Sequence, residues 1–76
     1  MPDLPSLALG QPARLLQVGG PRSYRRRLME LGFVPGTELR LLRRNGPGKL
    51  LEVELRGGRV SLRAAEARVL EVEALA

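Results

Sequence analysis

The sequence predicts a mainly β fold: five short strands forming a small barrel, with one short helix between the first and second strands. Three observations carry this. Several segments alternate apolar and polar residues with the period of a half-buried strand. Gly and Pro recur between those segments where tight corners are needed. Only the stretch from Pro21 to Leu31 has sustained helical spacing.

Taken in order, residues 1–8 form a leader with two prolines among the first five positions, expected to be extended. Ala13–Val18 reads as the first strand, with impure alternation, and Gly19-Gly20 stops it. Pro21 suits the first turn of a helix, where a missing N–H costs nothing. Tyr24, Leu28 and Leu31 then share one stripe, with Arg22, Arg25, Arg26, Arg27 and Glu30 off it. Gly32 is a helix-stop residue, able to take positive φ, and Phe33 behind it is placed to pack under the barrel. Pro35-Gly36 is the signature of a type II turn.

Thr37–Arg44 and Leu50–Arg56 read as a hairpin across the loop Asn45–Lys49. Both apolar faces must reach one core, which predicts the pairs Arg44–Leu50, Leu42–Glu52, Arg40–Glu54 and Glu38–Arg56. The last two pair opposite charges, each worth about 0.2–1 kcal/mol. Gly57-Gly58 makes the next corner. Arg59–Leu62 is a short strand, Arg63–Ala67 a single helical turn, and Arg68–Ala74 the last strand, with Leu70 and Val72 inward. A meander of this size closes into an SH3-like barrel, which removes exposed edges. Periodicity alone also permits an open α+β sheet.

At 76 residues the chain is expected to be a single domain over positions 1–76, with a small core. It has no Cys and no His. Disulfides, structural zinc and Cys–His or Ser–His catalysis are therefore excluded. The acidic residues are spread along strands beside arginines, and Glu71 and Glu73 merely share an exposed face. With only Met1 and Met29 as further weak ligands, no metal site and no cofactor are expected. There is no Gly-x-Gly-x-x-Gly or P-loop pattern, so an enzyme is not expected. No segment approaches the ~20 apolar residues of a membrane span, and the N-terminus lacks the regions of a signal peptide. The expectation is a soluble cytoplasmic protein.

The residues from Leu28 to Thr37, running Leu-Met-Glu-Leu-Gly-Phe-Val-Pro-Gly-Thr, resemble the signature of the FeoA family. Leu62 to Val69, running Leu-Arg-Ala-Ala-Glu-Ala-Arg-Val, is similar to that family's second motif before the last strand. The resemblance covers about positions 9 to 74. It implies an SH3-like barrel associated with ferrous iron uptake, and a partner: FeoB, a membrane permease with a cytoplasmic GTPase domain. A similar barrel occurs in repressors of the diphtheria-toxin-repressor type. Leu31, Gly32, Phe33, Gly36, Leu62 and Ala67 are read as fold-specifying.

The formal net charge is +5, with 13 Lys and Arg against 8 Asp and Glu. This points to an anionic partner. The candidate contact residues are Arg22, Arg25, Arg26, Arg27 and Glu30 on the helix, with Arg63 and Glu66, three apart, on the later turn. They suit an acidic protein face or, peripherally, an anionic membrane surface. The alternative is a basic small-barrel module that binds nucleic acid or accompanies a transcription regulator. Only Tyr24 and Phe33 are aromatic and one helix is present, which leaves neither a stacking platform nor a helix-turn-helix.

Overall fold

β1 (Pro12–Val18) lies inside the sheet and pairs antiparallel on both sides, with β2 (Glu38–Asn45) and with β5 (Leu70–Ala74). β3 (Leu50–Leu55) and β4 (Gly58–Arg63) extend the sheet beyond β2, giving the order β4-β3-β2-β1-β5. Helix α1 (Arg22–Glu30) joins β1 to β2, and the single turn α2 (Ala64–Ala67) joins β4 to β5. In this computed structural model the described residues are 3–46 and 49–75. The five antiparallel strands and one short helix are those the alternation predicts.

The barrel is not fully closed by strand pairing, because β4 and β5 are the two ends of the sheet. The N-terminal segment helps cover that seam. Leu4–Ser6 forms a 3-10 turn where an extended leader is expected, and α2 packs against it. Asp3 bridges to Glu71 on the free side of β5. Leu4, Leu7 and Ala67 all join the core. Two prolines bias the leader toward extended backbone, but burying two leucines outweighs that bias. Arg44 holds the turn in place: its Nη2 donates to the Pro5 carbonyl at 2.9 Å and to the Leu7 carbonyl.

Two β-bulges set which residues face inward. In β1 the register shifts between Leu15 and Gln17, so Ala13, Leu15 and Val18 are buried while Leu16 and Gln17 both face out. The impure alternation of β1 is this bulge. In β2 the register shifts between Leu41 and Arg43. The expected pair Arg40–Glu54 is present and Leu41 faces Val53. Beyond the bulge the predicted pairs Leu42–Glu52 and Arg44–Leu50 are replaced by Arg43–Glu52, Arg44–Leu51 and Asn45–Leu50. The expected pair Glu38–Arg56 also fails. Arg56 (φ 51) and Gly57 (φ 78) are the two central residues of the β3–β4 turn, both left-handed, as a type I′ hairpin requires. Ion pairs form instead between Arg14 and Glu38 (3.8 Å) and between Arg59 and Glu52 (3.4 Å). The loop positions Pro47 and Gly48 lie outside the described residues.

The passage from α1 into the core is a Schellman motif. Gly32 N–H donates to the Met29 carbonyl at 3.0 Å and Phe33 N–H to the Leu28 carbonyl at 3.1 Å. Leu28 and Phe33, the apolar pair of that motif, are both buried, Phe33 completely. The type II turn follows as expected: Thr37 N–H reaches the Val34 carbonyl at 3.0 Å and Gly36 has φ +95°. Leu62 and Ala67 are buried too. Leu31 departs from its expected place on the buried stripe. As the residue that ends the helix it is 47% exposed, because the chain turns inward only at Gly32.

Gly32 combines φ +113° with a crowded site, where an added Cβ would lie 3.1 Å from Leu55 Cδ1. Gly36 has positive φ but open space around it. Gly32→Ala is expected to cost about 1–3 kcal/mol and Gly36→Ala about 1 kcal/mol. Urea unfolding of the two variants checks this, and equal losses would show that the approach to Leu55 contributes nothing.

Candidate interaction groove on helix α1

Arg22, Arg25, Arg26, Met29 and Glu30 are spaced three and four apart and share one face of α1. Together with Leu16, Gln17 and Val18 of β1 and with Pro35 they line a groove of about 1330 Å³, widely open to solvent. Its floor is apolar and its rim cationic. Leu16 and Met29 are 38% and 44% exposed, and they belong to a small set of large apolar side chains left in water. Leu16 is there because of the β1 bulge; Met29 is there because α1 buries only Leu28 fully.

The helix is not built for its own stability. Pro21 supplies no capping side chain and the first turn carries no acid. It carries Arg22 instead, and a cation there opposes the helix dipole by about 0.3–1 kcal/mol. Arg27, in the last turn, suits the dipole, but it lies on the other side of the helix and outside the groove. Of the expected helix contact residues, Arg22, Arg25, Arg26 and Glu30 therefore converge and Arg27 does not. Arg63 and Glu66 are not in the groove either. The Glu66 carboxylate accepts from the Arg63 backbone N–H at 3.1 Å. That is the return half of a capping box, and arginine, having no acceptor, cannot supply the other half.

Leu16, Gln17, Val18, Ser23, Met29 and Pro35 are the groove residues that the sequence pattern does not single out. The irregular alternation of β1 was the available signal for Leu16. Among the described residues no group of three or more His, Cys, Asp or Glu could hold a metal ion.

The FeoA domain model matches residues 3–74. The chain belongs to the FeoA domain family. It is 36% identical to the FeoA protein of Chlorobium tepidum, whose solution structure it matches with a TM-score of 0.88 over 97% of this chain and 70% of that one. FeoA of Stenotrophomonas maltophilia, solved with zinc and described as a prokaryotic SH3 domain protein, is 32% identical. That match has a TM-score of 0.78 and covers 96% of this chain and 91% of the other. Iron(II) transport protein A of Clostridium thermocellum is 29% identical, with a TM-score of 0.89 over 96% of this chain and 45% of that one. A manganese-dependent transcriptional repressor shares the fold at 19% identity, with a TM-score of 0.87 over 97% of this chain and 41% of its own. The search of curated proteins gave no significant match. The chain thus has the SH3-like architecture expected from its alternation.

Behind the groove, Tyr24 packs against the core, and its hydroxyl is buried without a hydrogen-bond partner. Burial raises its pKa above the usual 10.0; Glu66 adds to the rise and Arg27 opposes it. The folded state therefore holds the phenol proton more tightly than the unfolded state. Stability from this group is fully present below pH 10.0 and is lost as pH rises through the folded value. Tyr24→Phe removes the unpaired hydroxyl and is expected to change stability at neutral pH by no more than about 1 kcal/mol. It should also lose less stability than the parent between about pH 9 and pH 11, as read from denaturant midpoints. Identical alkaline losses would contradict this assignment.

Proposed function

We propose that this chain is a non-catalytic accessory protein of ferrous iron uptake. It acts in the cytoplasm on a membrane permease that carries a GTPase domain, and α1 with β1 forms the contact surface. Membership of the FeoA domain family supports the pathway. The observation that carries the mode of action is the groove: three arginines around exposed Leu16 and Met29. Arg is favoured at protein contacts because its planar fork bonds carboxylates while its stem packs on apolar atoms. A chain without Cys or His is poorly equipped to carry a transition metal, so it works on the transporter and not on the ion. Docking biases gating or the nucleotide cycle, because a partner that favours one state shifts the population toward it.

The nucleic-acid alternative has less support. Phe33 is wholly buried and the Tyr24 hydroxyl is inside, so no aromatic is free to stack on a base. The likeness to repressors concerns the fold alone.

Reversing Arg22, Arg25 and Arg26 to Glu together separates function from stability. The thermal midpoint should change little, because acids at positions 22 and 25 suit the helix dipole while an acid at 26 stands one turn from Glu30. Capture of the permease's cytoplasmic domain should fall at least about tenfold. Undiminished capture by the folded triple variant would remove α1 from the contact.

A further inference from the structure

A second, smaller cavity lies outside the groove and shares no residue with it. It sits between the hairpin end of β2 and β3, the N-terminal 3-10 turn and α2. Pro5, Arg44, Lys49, Leu51, Ala64 and Arg68 line it, enclosing about 310 Å³. Three of those side chains are cations and none is an acid. Elsewhere in the sheet several arginines stand beside carboxylates: Arg14 with Glu38, Arg59 with Glu52, Arg40 opposite Glu54. The cavity also differs from the α1 groove, which includes Glu30.

The fold anchors one of these cations through its side chain and ties down the backbone that carries a second. Arg44 is anchored through Nη2 to the Pro5 and Leu7 carbonyls, which fixes its guanidinium at the cavity while its other N–H groups remain to donate. Lys49 is a non-glycine residue at φ 50, a left-handed position better suited to Gly or Asn. Its backbone is tied on both sides, Lys49 N–H to the Gly46 carbonyl at 3.1 Å and Ala64 N–H to the Lys49 carbonyl at 2.9 Å. The second bond fastens the hairpin loop to the start of α2, the turn that Arg68 follows directly. Buried Leu51 and half-buried Ala64 supply apolar wall.

We propose that this cavity is an anion site for a dianionic phosphoryl group. Two guanidiniums match the geometry of phosphate oxygens, and a lysine adds a point charge. The volume exceeds that of a bare phosphate and stands at the lower end of small-molecule sites. The source is therefore either inorganic phosphate or a small phosphate monoester whose organic part lies against Leu51 and Ala64.

Amide chemical shifts of the intact chain, titrated with inorganic phosphate and separately with AMP at constant chloride-balanced ionic strength, test this. Saturable shifts are expected at Arg44, Gly46, Lys49, Ala64 and Arg68, with α1 amides silent. Tighter saturation by AMP identifies a monoester; equal or tighter saturation by inorganic phosphate identifies the free anion. The double variant Lys49→Ala, Arg68→Gln leaves the Arg44 anchor intact and should weaken binding at least about tenfold with the thermal midpoint kept. Unsaturable shifts, shifts shared equally with the α1 arginines, or saturable binding that the double variant retains would each overturn the site.

Discussion

The bulge at Leu16 is the constraint on which the arrangement of this molecule depends. β1 serves two neighbours, and its inward positions must match both. Strict alternation from Ala13 and Leu15 would turn Gln17 into the core. The extra residue passes that place to Val18 and leaves Leu16 and Gln17 adjacent on the outer surface. One local irregularity thus completes the core with a valine and supplies apolar floor to the groove that α1 rims with arginine. Packing and the proposed contact surface arise from the same shift of register.

A core of this size has no cysteine from which a disulfide could reinforce it. Its compensation is continuity. The Schellman motif delivers Phe33 to the centre directly from α1, and the N-terminal turn brings Leu4 and Leu7 to the seam that strand pairing leaves open. Arg44 ties that turn to the end of β2, so an outward strand residue carries a structural task. The helix, by contrast, gives up capping and dipole compatibility to display cations. Features that lower local stability while raising surface charge suggest a binding role more strongly than charge alone.

Much of the fold was legible because strand alternation and turn chemistry are local. The strands, the helix stop at Gly32, the type II turn at Gly36 and the buried Phe33 follow from residues within a few positions of each other. Where the hairpin register fails, the cause is equally local: a single inserted residue changes the register without changing composition. The bulge at Leu42 moved the hairpin tip by one position, and the left-handed Arg56 took that residue out of its expected pair. Half of the candidate site was legible as the arginine face of α1. The apolar half was not, since Leu16 and Met29 look like core residues until tertiary packing leaves them in water. Arg63 and Glu66 were recognisable as neighbours, but the bond between them is a backbone cap.

The dissociation constant of Leu16→Ser for the proposed permease partner's cytoplasmic domain, measured beside that of the parent chain, tests the proposed bulge-built contact surface most directly. Leu16 is exposed, so its replacement leaves the core intact and the thermal midpoint unchanged. Loss of its apolar contact in the complex predicts binding weakened about five- to tenfold. An unchanged dissociation constant in a fully folded Leu16→Ser protein would contradict the role assigned to the bulge.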